Sequence, residues 1–445
     1  MVAVIAVIIT LIIGATQSVW FDEAYSITLA RSPWRDLFSL TAVDAHPPLY
    51  YVLLKIWGSI GGFDELWLRS FSAICLGGTV FLSLLLSRKC FGRRTAIISA
   101  PILILAPFML RYGFEIRMYS LASLIAVGST LVMLKMIDGS SKRTWIFYGI
   151  LVAAGMLTMN FMIFVFVAQL IYLIVNYCKT RKARQKTDRI WRQNWFKAFV
   201  LSVMIYLPWL PFAEDQIEGG ALSGVGTIFG PTQISNILSF LFVYEPEFWL
   251  NRLTAFLVIV ATGAAVWLIV KLRRDDKKSR NYTFLLLLIF LSPLVIMMIL
   301  SLVSSKGFFI ERYIAHFVWA GYLLVGVAAA KLILNYKKKL VGAAIYLIII
   351  GTFVVGLVNL GRIGNYNFQK MERNRAREIA ATINCHEMTV VKDIQLYFSL
   401  NYYLGECKNL YFYAPEWTDF SHGYKPLQNS SQWLTEIPEN VKVIE

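Results

Sequence analysis

Continuous apolar runs, rather than the two-residue alternation of a half-buried strand, dominate the first four fifths of this chain. They recur at roughly 2–19, 66–87, 95–110, 119–137, 145–160, 162–178, 196–213, 250–270, 282–303, 313–334 and 340–360. Each is long enough to cross about 30 Å of hydrocarbon, which predicts about eleven transmembrane helices. Two further apolar segments, 46–62 and 232–243, are shorter or more broken and read as helices lying at the interface. No internal repeat is visible.

After about residue 361 the pattern changes to a polar one. NFQKMERNRAREIAATIN has helical periodicity. MTVVKD reads as a buried strand, IQLYFSLNYYLG as a helix ending at Gly405, NLYFYAP as a second strand and VKVIE as a third. The chain therefore divides into a membrane module, 1–361, and a small α/β domain, 362–445.

Composition agrees. With 57% hydrophobic and 16% charged residues, an ordinary soluble enzyme is excluded. The net charge of +16 would suit nucleic acid, but its placement points to a membrane instead. Basic residues crowd into alternate loops: Arg88, Lys89, Arg93 and Arg94; Lys142 and Arg143; 179–197; 271–280; and 337–339. The intervening loops hold few. This positive-inside pattern sets the N-terminus in the cytoplasm and the sparse loops, with the C-terminal domain, outside the cell membrane. The first run lacks a basic leader and a clear small-residue cleavage site, and reads as an uncleaved anchor.

Cys385 and Cys407 both fall in the external domain, where an oxidising environment would let them form a disulfide worth about 3 kcal/mol; two free buried thiols are the alternative. Asn429-Ser430-Ser431 is a formal glycosylation sequon of little weight.

The chemistry-bearing residues lie on the sparse loops. The first carries Asp22, Glu23, Asp44, His46, Pro47 and Pro48. RYGFEIRMYS places Glu115 between Arg111 and Arg117, and SSKGFFIERYIAH carries Lys306, Glu311, Arg312 and Tyr313. Taken singly, each has a plain reading: a solvated loop start, a proline-opened helix, a structural ion pair, headgroup anchors. Trp20, Trp34, Trp57, Trp67 and Tyr112 read as belt aromatics. Together they suggest carboxylates and cations converging between helices at one membrane face. A group transfer there needs a donor that arrives through the bilayer, such as a sugar on a lipid phosphate. That leaving group needs no protonation, so one carboxylate base plus cations for the phosphate suffices. A glycoside hydrolase would instead need two spaced carboxylates.

In order, WFDEAYS, DAHPPLYYVLLKIW, ELWLRSFSAICLGG, RKCFGRRTA, RYGFEIRMYSL and KGFFIERYI resemble the bacterial relatives of protein O-mannosyltransferases. These are membrane glycosyltransferases of the GT-C fold, a group that includes the aminoarabinose transferases of lipid A. The likeness is densest over 18–125 and returns at 306–314. It implies inverting transfer from a polyprenyl-phosphate-linked sugar, with Asp22 as general base and Glu23 supporting it or shaping the acceptor site. Asp44 and His46 would sit beside the donor phosphate or sugar, Glu115 and Arg117 match an outer acidic-basic cluster, and Lys306, Arg312 and Tyr313 would clasp the phosphate. The aminoarabinose transferases carry Lys before the prolines where this chain has His46, which weakens that assignment. No cofactor is expected, and a divalent metal is not favoured. The partners expected are the lipid-linked donor, membrane lipids and an envelope acceptor, whether lipid, polysaccharide or protein; nucleic acid is not among them. A flippase for a lipid-linked sugar and a non-catalytic envelope-assembly subunit remain the alternatives.

Overall fold

The computed structural model describes residues 1–139, 143–184, 189–216, 230–244, 252–271, 277–304, 310–335, 338–363, 375–405, 407–415, 426–427, 430–439 and 441–444. The first helix, α1 (Val2–Ala15), is followed by three helices of the first loop, α2 (Phe21–Arg31), α3 (Trp34–Ala42) and α4 (Leu49–Gly61). Then come α5 (Glu65–Phe91), α6 (Arg93–Ile104), α7 (Pro107–Gly113), α8 (Tyr119–Ile137), α9 (Thr144–Met156), α10 (Met162–Arg184), α11 (Asn194–Tyr206) and α12 (Leu210–Gln216). The helical part closes with α13 (Pro231–Phe242), α14 (Arg252–Lys271), α15 (Lys277–Ser304), α16 (Val318–Leu334) and α17 (Lys339–Ile363).

Each apolar run thus holds a helix, and the two shorter segments are α4 and α13. The crossing count is a different matter. Six described helices are long and apolar enough to span a membrane, or seven if α6 and α7, bent by 62° at their junction, form one span. Five apolar helices are shorter, among them α1 at 14 residues. At 1.5 Å per residue such a helix falls short of the hydrocarbon thickness, so the predicted eleven crossings are not established by length and composition. The α6–α7 break falls before Pro107, which opens α7 where a missing N–H costs nothing.

Packing centres on α5 and α16. Against α5 lie α1, α6 and α8, and α16 packs on α6, α15 and α17. The α16 helix is buried on all sides, as an all-apolar helix should be. Close approach needs small residues at two crossings. A Cβ on Gly77 would sit 2.6 Å from Val7 of α1, and one on Gly326 would sit 2.8 Å from the Ser99 side chain of α6.

The polar C-terminal part forms α18 (Ala376–Ala380), β1 (Thr389–Val391), α19 (Ile394–Tyr403), β2 (Leu410–Tyr413), β3 (Trp433–Leu434) and β4 (Lys442–Ile444). The strands make one parallel sheet in the order β3-β2-β1-β4, with Thr389 in register with Leu410 on one side and Lys442 on the other. Asp393 starts α19 by accepting the backbone N–H of Gln395 at 2.8 Å. The two-residue β3 lies in a polar stretch without strand alternation and adds a fourth strand to the three predicted. Of the predicted 367–384 helix, the described part is helical at α18 only, and its first turns lie outside the described residues, as does Asn429.

Cys385 and Cys407 form a disulfide with Cα atoms 5.2 Å apart, tying the approach to β1 to the exit of α19. Peptide mapping without reductant should recover the two cysteines in one linked pair, and replacing both with Ser should speed amide exchange in β1 and β2. Unlinked peptides would contradict the pairing.

Candidate functional site

Two adjacent acids open α2, and the helix turns them about 100° apart, toward different partners. Glu23 points inward and is fully buried. Its carboxylate receives two bonds from Arg69, Nη2 to Oε2 at 2.8 Å and Nε to Oε1 at 3.1 Å. The backbone N–H of Ile116 adds a third at 3.0 Å, and that of Trp20 a fourth at 3.4 Å, the latter capping α2 itself. All four acceptor positions are therefore occupied.

Arg69, also fully buried, spends its remaining donors on the end of α1, the linker that follows it and Glu65. It donates to the carbonyls of Gly14, Gln17 (2.9 Å) and Ser18 (3.2 Å), and it pairs with Glu65 one turn earlier on α5. Its guanidinium lies 5.5 Å from the Phe114 ring centroid. A buried charge so completely paired is costly to break. The motif ELWLRS contained it, and its i,i+4 spacing from Glu65 was the available signal.

Asp22 points the other way. Its Oδ2 accepts Arg312 Nη1 at 2.8 Å and stands 4.0 Å from Arg117 Nε. Arg117 also donates to Ser26 Oγ at 3.2 Å and to the Tyr51 hydroxyl at 3.3 Å. Thus residues 290 positions apart meet at one carboxylate. Arg312 retains 23% side-chain exposure and Asp22 11%, so the pair is screened from bulk water but not sealed from it. Trp20 lies 5.9 Å and Tyr313 6.0 Å from the Arg312 guanidinium, and Tyr313 packs on Phe161 at 4.4 Å. Trp20 and Tyr112 are buried here, against the expectation of belt aromatics.

The DAHPP loop approaches from a third side. Asp44 accepts the Tyr51 hydroxyl at 3.3 Å and that of Tyr25. Burial raises its carboxyl above the ordinary range, opposed by the Arg117 charge. His46 is held well below the usual imidazole range by burial and by the charges of Arg117 and Arg312, so its ring is neutral at neutral pH. The loop's backbone is pinned from the far end of the seventh run: Gln216 Nε2 donates to the carbonyls of Thr41 (2.7 Å) and His46 (3.3 Å). Asn160 Nδ2 donates to Ala45 O and Gln216 Oε1, both at 3.3 Å. Neither residue carried a sequence signal, because a backbone carbonyl as partner leaves no pattern in side chains.

Glu115 pairs with Arg111 at 3.3 Å rather than with both flanking arginines. Burial pushes its carboxyl up to about 7, with Arg111 opposing and Glu23 and Asp22 adding to the rise. Among the described residues its Oε1 has no hydrogen-bond partner, and the same holds for Arg117 Nε, Arg312 Nε and the Tyr119 hydroxyl, all buried. Lys306 lies outside the described residues. Asp22, Glu23, Asp44, His46, Glu115, Arg117, Arg312 and Tyr313 come together. Among the described residues, no three His, Cys, Asp or Glu side chains form a metal-holding group.

Two outcomes follow from this geometry. Arg69→Leu strands the buried Glu23 carboxylate and should cost about 3–5 kcal/mol, read as a large fall in melting temperature of the detergent-solubilised protein; an unchanged value would contradict the buried pairing. Glu115 keeps its proton to about pH 7 in the folded chain but loses it near 4.5 when unfolded. Its contribution is therefore complete below pH 4.5 and lost as pH rises through 7. Wild-type melting temperature should fall across that window relative to Glu115→Gln, and parallel profiles would refute the assignment.

Comparison with known proteins bears on the fold. Residues 45–212 match the family model of dolichyl-phosphate-mannose-protein mannosyltransferase. ArnT from Cupriavidus metallidurans, in a crystal structure bound to undecaprenyl phosphate, is 14% identical, with a TM-score of 0.59 over 93% of this chain and 85% of that one. The Archaeoglobus fulgidus oligosaccharyltransferase, in a complex with zinc and sulfate, is 13% identical, with a TM-score of 0.54 over 98% of this chain but only 62% of that one. The same organism's AglB, with an inhibitory peptide and a dolichol-phosphate, gives 13% and 0.53 over 90% of this chain and 63% of that one. No curated protein matches the chain in sequence. The protein is a multi-pass membrane chain with the GT-C glycosyltransferase fold, similar over residues 45–212 to the dolichyl-phosphate-mannose-protein mannosyltransferases.

Proposed function

We propose that the protein transfers a sugar from a polyprenyl-phosphate carrier to a hydroxyl of an envelope acceptor, with inversion at the anomeric carbon. The observation that carries this reading is the 2.8 Å contact between Asp22 and Arg312, with Arg117 4.0 Å from the same oxygen. One carboxylate and two guanidinium groups are what displacement of a phosphate leaving group requires. The relatives' carriers, undecaprenyl phosphate and dolichol-phosphate, support the donor class.

In this reading the donor phosphate competes with Asp22 for the guanidinium groups, because phosphate is the stronger multidentate acceptor. The unpartnered Arg117 Nε, Arg312 Nε and Tyr119 hydroxyl supply donors for its oxygens. Asp22, released from Arg312, then takes the proton of the acceptor hydroxyl as its oxygen attacks the anomeric carbon. The bond from that carbon to the phosphate oxygen breaks, and the lipid phosphate leaves with the bonding electrons, stabilised by the arginines. A single displacement inverts the carbon. Neutral His46 and Asp44 line the approach and orient the sugar. The cations in this scheme are guanidinium groups, so the scheme requires no divalent metal. The positive-inside charge pattern supports a reaction on the extracytoplasmic face of the cell membrane.

The test is purified protein in vesicles with a panel of polyprenyl-phosphate sugars. Wild type should release or transfer sugar, and Asp22→Asn should lower the rate by about 10²–10⁴-fold while leaving donor binding intact. Full activity in that variant would remove Asp22 as the base.

A further inference from the structure

The linker at residues 16–20, which delivers Asp22 to the site, is gripped from two sides. Arg69 holds one. Arg377, on α18 of the C-terminal part, holds the other. Its Nη2 donates to the Gln17 carbonyl at 2.8 Å, its Nη1 to the Ala15 carbonyl at 3.3 Å, and its backbone N–H to Ser18 Oγ at 3.4 Å. Tyr403, the last residue of α19, accepts the Val19 N–H at 2.8 Å and donates its own proton to Glu65 Oε2 at 2.9 Å.

Glu65 joins the two grips. Its Oε1 pairs with Arg377 at 2.7 Å and also with Arg69. Aromatic contacts seal the junction: Phe398 of α19 lies 5.4 Å from Phe21 and 6.2 Å from Tyr25, ring to ring. The Tyr402 hydroxyl reaches the Phe63 carbonyl at 3.2 Å, and the Arg31 guanidinium lies 5.4 Å from the Tyr402 ring centroid. The sheet unit thus bonds to the backbone or side chain of linker residues directly before the acid pair.

We propose that Arg377 and Tyr403 are positioning residues, through which the C-terminal unit fixes the 16–20 linker and so sets the Asp22 carboxylate against Arg312. This rests on the reading of Asp22 as the base. A linker of five residues with no helix or strand of its own samples many conformations unless its polar groups are claimed. Three of those five residues, Gln17, Ser18 and Val19, find partners on the C-terminal unit, as does Ala15 at the end of α1. The displacement chemistry tolerates little misplacement, since an error of about 1 Å can cost about 100-fold in rate.

The experiment uses the full chain in vesicles with three variants, Arg377→Ala, Arg377→Lys and Tyr403→Phe. Arg377→Ala should lower kcat by about 10–100-fold with donor KM changed less than about twofold, because the phosphate donors are untouched. Arg377→Lys keeps a charge for Glu65 and should recover part of the loss. Tyr403→Phe removes one hydroxyl and keeps the ring, so it tests the clamp where the alanine variant fails to fold. In parallel, hydrogen exchange of residues 17–25 should accelerate in Arg377→Ala and Tyr403→Phe, while α8 stays unchanged. Unchanged exchange in the linker overturns the clamp, and faster exchange with unaltered kcat overturns its role in positioning. Exchange needs no substrate: if no donor supports transfer by the wild-type protein, the transfer reading falls while the exchange result still decides the clamp.

Discussion

Burying ionised groups at an apolar boundary is tolerable only when every charge is matched, and the Glu23–Arg69 pair is where this chain meets that constraint most completely. The two side chains are fully buried and bond to each other twice. Their remaining capacity goes to Ile116, Trp20, Gly14, Gln17, Ser18 and Glu65. One pair therefore ties α1, α2, α5 and the α7–α8 turn into a single junction. Removing either partner leaves an uncompensated charge at a fully buried position.

That junction explains why two adjacent acids have separate roles. A helix turns successive side chains by about 100°, so anchoring Glu23 inward obliges Asp22 to face the arginines across the rim. Asp22 sits in the first turn of α2, where the helix dipole favours an anion, and it remains partly exposed beside Arg312. The inner acid is locked into the junction, and under the proposed function the outer one keeps a partner that a phosphate draws away. The C-terminal sheet fits the same logic, since it reaches the junction through Glu65.

Much of this was legible in the sequence because it depends on local pattern. Apolar runs forecast the helices, the order of patterns in 388–415 forecast β1, α19 and β2, and compartment logic made a Cys385–Cys407 disulfide one of two readings, which the structure resolves as bonded. Motif order brought Asp22 and Arg312 into one site across 290 positions. What escaped was long-range and directed at backbone. Gln216, Asn160 and Arg377 act on carbonyls, and a carbonyl has the same identity at every residue. Tyr119, the first residue of the apolar run 119–137, carries no signal of its own. The count of eleven crossings is not established among the described residues, because the apolar runs mark helices but α1, α9 and α16 are shorter than their runs. The two-residue β3 is too short for any alternation to show.

The central claim is that a lipid phosphate displaces Asp22 from the arginines and leaves it free to accept a proton. A structure of the full chain with a polyprenyl phosphate tests this most directly. The account expects phosphate oxygens within hydrogen-bond distance of Arg312 and Arg117, with the Asp22–Arg312 contact opened beyond its present 2.8 Å. A phosphate bound elsewhere, with that ion pair intact, would contradict it.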